Sequence, residues 1–159
     1  MAEKPKFVLV MRHAEKPQDP HDPNLAPAGY ARAESLATYI PTALGSPDHI
    51  LASSISKNSA RPYETVIPLA KHIGKPIDAT IADQDYGVLA SDLLSEATYA
   101  NGQVVVCWHH GNIPSLVGKL GAEPGTYPDP WDPTVFNLIL KVEFPDQGQA
   151  VVTKIVEPF

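Results

Sequence analysis

Apolar residues in this chain fall into runs of two kinds. Residues 7–11 (FVLVM) and Gln103–Trp108 (QVVVCW) are nearly continuous and rich in valine, the pattern of a strand covered on both faces. His49–Ala52 (HILA) predicts a shorter strand, and 76–80 a weak one. Between them apolar positions recur at helical spacing. Over 28–40, Ala31, Leu36, Ala37 and Ile40 form a stripe that Pro41 ends. Over 63–73 the stripe is Val66, Leu69, Ala70 and Ile73, with Gly74 as stop and Pro68 as an expected kink. Helices are also predicted over 89–99 and over 113–120, the latter closed by Gly121. Finally, 136–143 and 150–156 alternate apolar with polar residues and flank a turn-forming stretch that includes PDQGQ, which predicts an antiparallel hairpin.

Strands that alternate with helices predict an α/β protein. The expected fold is a three-layer α/β/α sandwich with a mostly parallel central sheet and a C-terminal antiparallel hairpin. No repeat or flexible linker interrupts the pattern, so 1–159 is expected to be a single domain. Composition narrows the setting. Twelve basic residues against 18 acidic ones give a net charge of -6, which argues against non-specific nucleic-acid or anionic-membrane binding. An anionic ligand would need a local basic island on an acidic protein. The lone cysteine, Cys107, excludes an intrachain disulfide and sits in an apolar strand, as a small buried hydrophobe would. The N-terminal apolar run is too short for a secretory or membrane-spanning segment, and a cytoplasmic location is expected. Seventeen prolines, about twice the usual share, cluster in QDPHDPNLAP and TYPDPWDPT and mark two long loops.

In parallel sheets, ligands bind beyond the carboxyl ends of the strands. There the first strand delivers Arg12 and His13, and the Gln103–Trp108 strand delivers His109 and His110. SARPYET puts Arg61 at the front of a helix, where free amide N–H groups also favour anions. Two arginines and two histidines on one rim suit a dianionic phosphoryl group. Such a pocket either binds phosphate and stops there, or turns catalytic with one imidazole as nucleophile.

In the order RHAEKP, LAPAGYARA, SARPYET, VVVCWHHGNIPSL, these blocks resemble the histidine phosphatase superfamily, which includes phosphoglycerate mutases and small phosphohistidine phosphatases. The family's opening motif falls on Arg12, His13 and Ala14. Its Leu-x-x-x-Gly element falls on Leu25 and Gly29, and its Arg-x-x-x-Thr on Arg61 and Thr65. Its late strand followed by His-Gly falls on His110 and Gly111. The resemblance implies a metal-independent, cofactor-free phosphatase acting on a phosphomonoester or phosphohistidine, in a small molecule or a phosphoprotein. His13 would become the phosphohistidine, while Arg12, Arg61 and His110 bind the phosphoryl oxygens. DQDYG aligns Asp83 with the acid of mutase-like members, and Asp85 competes for that role. SSISKNSARPY departs from the family's serine-proline-leucine segment before the arginine.

Other readings remain beside this one. Lys16 is a candidate substrate contact or a solvated lysine, Glu15 a partner for Arg12 or a solvent-facing carboxylate, and His109 a pocket residue or a hydrogen-bonded strand end. Asp-Pro turns explain both proline-rich loops; alternatively they rim the pocket, with His21 and Trp131 touching substrate. As whole-protein alternatives stand a non-catalytic phospho-ligand binding module and a metal hydrolase built on His13, Glu15, His109 and His110.

Overall fold

A computed structural model describes residues 3–159. One six-stranded sheet organises them, with strand order β3-β2-β4-β1-β5-β6. Its strands are β1 (Phe7–Arg12), β2 (His49–Ala52), β3 (Ile77–Asp78), β4 (Gln103–Trp108), β5 (Leu138–Glu143) and β6 (Val151–Val156). β1 and β4 pair in parallel at the centre, with Val8 opposite Val104 and Arg12 opposite Trp108. β2 joins β4 and β3 in parallel, whereas β5 runs antiparallel to both β1 and β6. The mostly parallel sheet with a terminal hairpin is therefore present.

Why the central strands are apolar between Gln103 at the start of β4 and Arg12 at the end of β1 is visible in the packing. Val8, Val10, Val104, Val106 and Trp108 face one core with Leu89, Leu93, Leu116 and Val117. Leu9, Met11, Val105 and Cys107 face another with Leu36, Val66 and Leu69. Helices α3 (Tyr86–Ser95) and α4 (Ile113–Lys119) cover the first face, and α1 (Pro27–Tyr39) and α2 (Arg61–Ile73) the second. Those are the three expected layers. No helix among the described residues is long and apolar enough to cross a membrane.

Boundaries differ from expectation where local chemistry intervenes. Pro41 does not end the first helical segment: Ile40–Leu44 continue it as a wider π-helical turn, which makes room for the proline ring, and Gly45 closes it. α2 starts two residues earlier than predicted, at Arg61, because Pro62 suits the first helical turn, and Pro68 lies within it. α3 runs from Tyr86 to Ser95; extended Glu96 separates it from a short 3-10 turn at Ala97–Tyr99. β3 is reduced to two residues at the sheet edge.

Candidate functional site

At the carboxyl end of β1 and β4 lies an open cleft of about 620 Å³. Arg12, His13, Lys16, Arg61, Asp83, His109 and His110 all line it, so the structure brings together both arginines and both histidines of the expected constellation with Lys16 and Asp83. Register explains why. His13 follows β1, and its N–H donates to the Trp108 carbonyl at 3.1 Å, which locks the ends of the two central strands side by side.

Three contacts fix the loop after β1. Ala14 N–H donates to Thr65 Oγ1 at 3.0 Å, and that hydroxyl donates to the Arg61 carbonyl at 2.8 Å. The spacing from Arg61 to Thr65 is thus one helical turn, joining the start of α2 to the histidine loop. Ala26 N–H donates to the Glu15 carbonyl at 2.9 Å. Gly29 lets α1 come this close, since a Cβ there would sit 2.4 Å from the Glu15 carbonyl oxygen.

His13 is buried, and Nδ1 lies 2.7 Å from the Ala14 carbonyl. A carbonyl only accepts, so Nδ1 carries the proton and Nε2 keeps its lone pair. Burial, with Arg12, His109 and Arg61 adding to it, depresses the imidazolium to about 3 and outweighs the Ala14 carbonyl. The ring is neutral at physiological pH. His109 meets it edge-on at 5.4 Å between centroids, and is itself held down to about 4 by burial and then by Arg61 and Arg12. His110 is also lowered, by burial first, but is more open to solvent.

The arginines are held without carboxylates. Arg12 Nη1 donates to the Pro133 carbonyl at 2.7 Å, and its guanidinium lies 4.0 Å from the Phe136 ring centre. Arg61 Nη1 donates to the Asp22 carbonyl at 2.6 Å. In both, Nε is buried without a partner. Arg12 is lowered to about 10 by burial first and by Arg61 second, so it stays charged at neutral pH.

Asp83 projects from a short 3-10 turn (Asp83–Asp85) that the end of β4 anchors. Trp108 Nε1 donates to its carbonyl at 3.0 Å, and Asn112 Nδ2 to Oδ2 at 3.0 Å. Oδ1 is buried without a partner, and burial raises the carboxyl despite the Asn112 bond. Asp85 is exposed and off the cleft. Between the two candidates, geometry favours Asp83.

Several residues fall elsewhere than considered. Glu15 does not orient Arg12; it pairs with Arg32 through both carboxylate oxygens, at 2.9 and 3.1 Å. Trp131 is only 3% exposed and belongs to the core, with Nε1 donating to the Val135 carbonyl, and His21 lies off the cleft. Among the described residues no three His, Cys, Asp or Glu side chains converge as a metal cluster would require. Sequence reasoning missed Phe136, which carries no motif, and gave His109 less weight than its contact with His13 warrants. It also missed that the divergent 53–59 segment sends Ser54, Ser56, Asn58 and Ser59 to the cleft wall.

No family sequence model matches the chain, and no curated protein matches it by sequence. Solved structures do match. The protein histidine phosphatase SixA complexed with tungstate superposes with a TM-score of 0.66 at 18% identity, over 94% of this chain and 96% of that one. A mycobacterial glucosyl-3-phosphoglycerate phosphatase gives 0.65 at 13% identity, over 96% and 98%. A phosphoglycerate mutase from Bacillus anthracis gives 0.56 at 12%, over 98% and 94%.

Proposed function

Starting from a chain that has the histidine phosphatase fold, we propose that it is a metal-independent phosphatase that hydrolyses a phosphomonoester or phosphohistidine through a covalent intermediate on His13. The observation that carries the reading is one neutral ring. His13 has its proton tied to the Ala14 carbonyl and its other nitrogen free in a cleft that holds two guanidinium groups.

In the first step Nε2 attacks phosphorus and the bond to the leaving oxygen breaks. The positive charge that forms on the ring is eased by the hydrogen bond from Nδ1–H to Ala14. Arg12, Arg61 and the histidines at the end of β4 bind the equatorial oxygens, whose charge spreads in the transition state. We assign His109 to this set beside His110 because it packs edge-on against His13, lines the same cleft and feels the charge of the same two arginines. Asp83, its carboxyl raised by burial, protonates the leaving oxygen. As carboxylate it then takes a proton from the water that attacks phosphorus, the P–N bond breaks, and inorganic phosphate and neutral His13 are regenerated. Lys16, exposed at the mouth, is assigned to the non-phosphoryl part of the substrate. Substrates are phosphorylated small molecules or phosphoproteins, and a cytoplasmic location belongs to the same proposal.

The test is p-nitrophenyl phosphate turnover by wild type and His13→Ala, with acid-stable and acid-labile phosphate mapped after rapid quench. The expected result is an acid-labile label on His13 and loss of turnover by at least about 10³-fold in the variant. Equal rates in the two proteins reduce the cleft to a binding site. Turnover that chelator abolishes and metal restores replaces this reading with a metal hydrolase.

A further inference from the structure

Four Asp-Pro steps punctuate the two proline-rich loops, and three of them share one geometry. Asp19 Oδ1 accepts the His21 N–H at 2.9 Å, Asp22 Oδ1 the Asn24 N–H at 2.9 Å, and Asp132 Oδ1 the Thr134 N–H at 2.9 Å. Each is a turn in which proline fixes one dihedral and the aspartate closes the bend two residues on. Two of these turns abut the cleft arginines. The Asp22 turn presents its own carbonyl to Arg61 Nη1 at 2.6 Å. The Asp132 turn presents the Pro133 carbonyl to Arg12 Nη1 at 2.7 Å, with the Val135 carbonyl at 3.5 Å. Trp131 Nε1 holds the Val135 carbonyl at 3.0 Å, and the Phe136 ring backs the Arg12 guanidinium at 4.0 Å.

Guanidinium geometry gives this arrangement a consequence. Nη1 lies on the side of the chain stem, and the opposite edge carries the Nε–H and Nη2–H donors. Both cleft arginines have Nη1 occupied by a carbonyl and Nε buried without a partner. Left to themselves, two like charges in one cleft would turn apart or recruit a carboxylate. A carbonyl oxygen holds a guanidinium without cancelling its charge.

We propose that the Asp22 and Asp132 turns are arginine-positioning devices, each docking one guanidinium by Nη1 so that its unbonded Nη2 is aimed at the incoming oxyanion and the buried Nε stays fixed behind it. The proposal deepens the phosphatase reading and rests on it for the identity of that anion. Asp22, Asp132 and Phe136 are positioning residues that need not touch substrate.

The probe is inorganic phosphate, titrated by calorimetry against the full chain, with thermal melts run in parallel. Asp22→Ala and Asp132→Ala remove the side-chain bond that shapes each turn, and are expected to weaken phosphate binding about three- to ten-fold each. Asp22→Asn and Asp132→Asn keep the accepting oxygen and are expected to restore most of that loss. Phe136→Leu, which leaves both turns intact, is expected to weaken binding about three- to thirty-fold through loss of the ring behind Arg12. The proposal is overturned if the asparagine variants lose as much as the alanine variants, since charge and not aim would then matter. It is equally overturned if folded Asp132→Ala and Phe136→Leu bind phosphate as wild type does, or if wild type binds none. Wild-type binding with the alanine–asparagine split, but without turnover, upholds the positioning role and discards the phosphatase.

Discussion

Arginine is wholly or partly buried in two regions of this protein, to opposite ends. Arg32 sits against the C-terminal segment with Glu15 on its Nε and Nη2 and with Glu157 and the Phe159 carbonyl on its Nη1, at 2.9 to 3.1 Å. Two carboxylates meet one guanidinium there, so negative charge is in excess. Burial pushes the Glu157 carboxyl up to about 7, and Arg32 only partly opposes it. Arg12 and Arg61 have no carboxylate in hydrogen-bonding contact, only backbone carbonyls, and each keeps an unpartnered Nε. Carboxylates neutralise a guanidinium and make it a structural rivet. Carbonyl dipoles orient it and leave its charge available. On a chain of net charge -6, that difference in partner creates the local positive site that an anion requires.

Breaking each region should therefore produce opposite phenotypes. Asp83→Asn, which removes the acid beside the cationic site, is expected to lower kcat on an alkyl phosphate by about 10²- to 10⁴-fold. A phosphoramidate such as phosphohistidine, whose leaving group needs the proton less, should lose far less. Comparable losses on both substrates remove Asp83 from the mechanism. Arg61→Ala is expected to lower kcat/KM by about 10²- to 10³-fold, with stability changed by under about 1 kcal/mol. Arg32→Ala should do the reverse, costing about 3 kcal/mol in denaturant unfolding because Glu157 is left buried and unpaired. Phosphate affinity of its folded fraction should stay within about two-fold of wild type.

Smaller, and of opposite sign in the two regions, is the response to pH. His13 is held at about 3 and His109 at about 4, against about 6.5 in an unfolded chain. Below 6.5 the unfolded chain takes up protons that the folded one refuses, so their contribution falls as pH drops from 6.5 toward 3. The slope for His13 is at most about 1.4 kcal/mol per pH unit. Glu157 runs the other way. Its folded value of about 7 lies above the unfolded value of 4.5, so its contribution is lost as pH rises between them. Unfolding curves from pH 4 to 8 should show His13→Asn flattening the acid limb and Glu157→Gln the neutral limb. Unchanged slopes in both variants would mean that neither group titrates differently in the two states.

Much of this was legible along the chain, for local reasons. β4 matches its expected span because, after Gln103, VVVCW has no polar residue to place on a solvent face, and β1 differs only by including Arg12. His13, Arg12 and Arg61 stand at element ends, where adjacency in sequence already implies adjacency to the sheet rim. Less legible was whatever depends on which loop crosses which. Nothing near Phe136 marks it as the support of a residue more than a hundred positions earlier, and HHG does not say which imidazole turns inward. The family resemblance pointed to His110, whereas the ring that packs edge-on against His13 is His109.

Layer order, strand direction and the residues delivered to the rim were thus set by the sequence, because periodicity, turn chemistry and apolar runs act over a few residues. Tertiary structure alone decided which arginines are neutralised and which are merely aimed. A guanidinium carries the same charge wherever it occurs, and its role depends on whether the fold brings a carboxylate or a carbonyl to meet it.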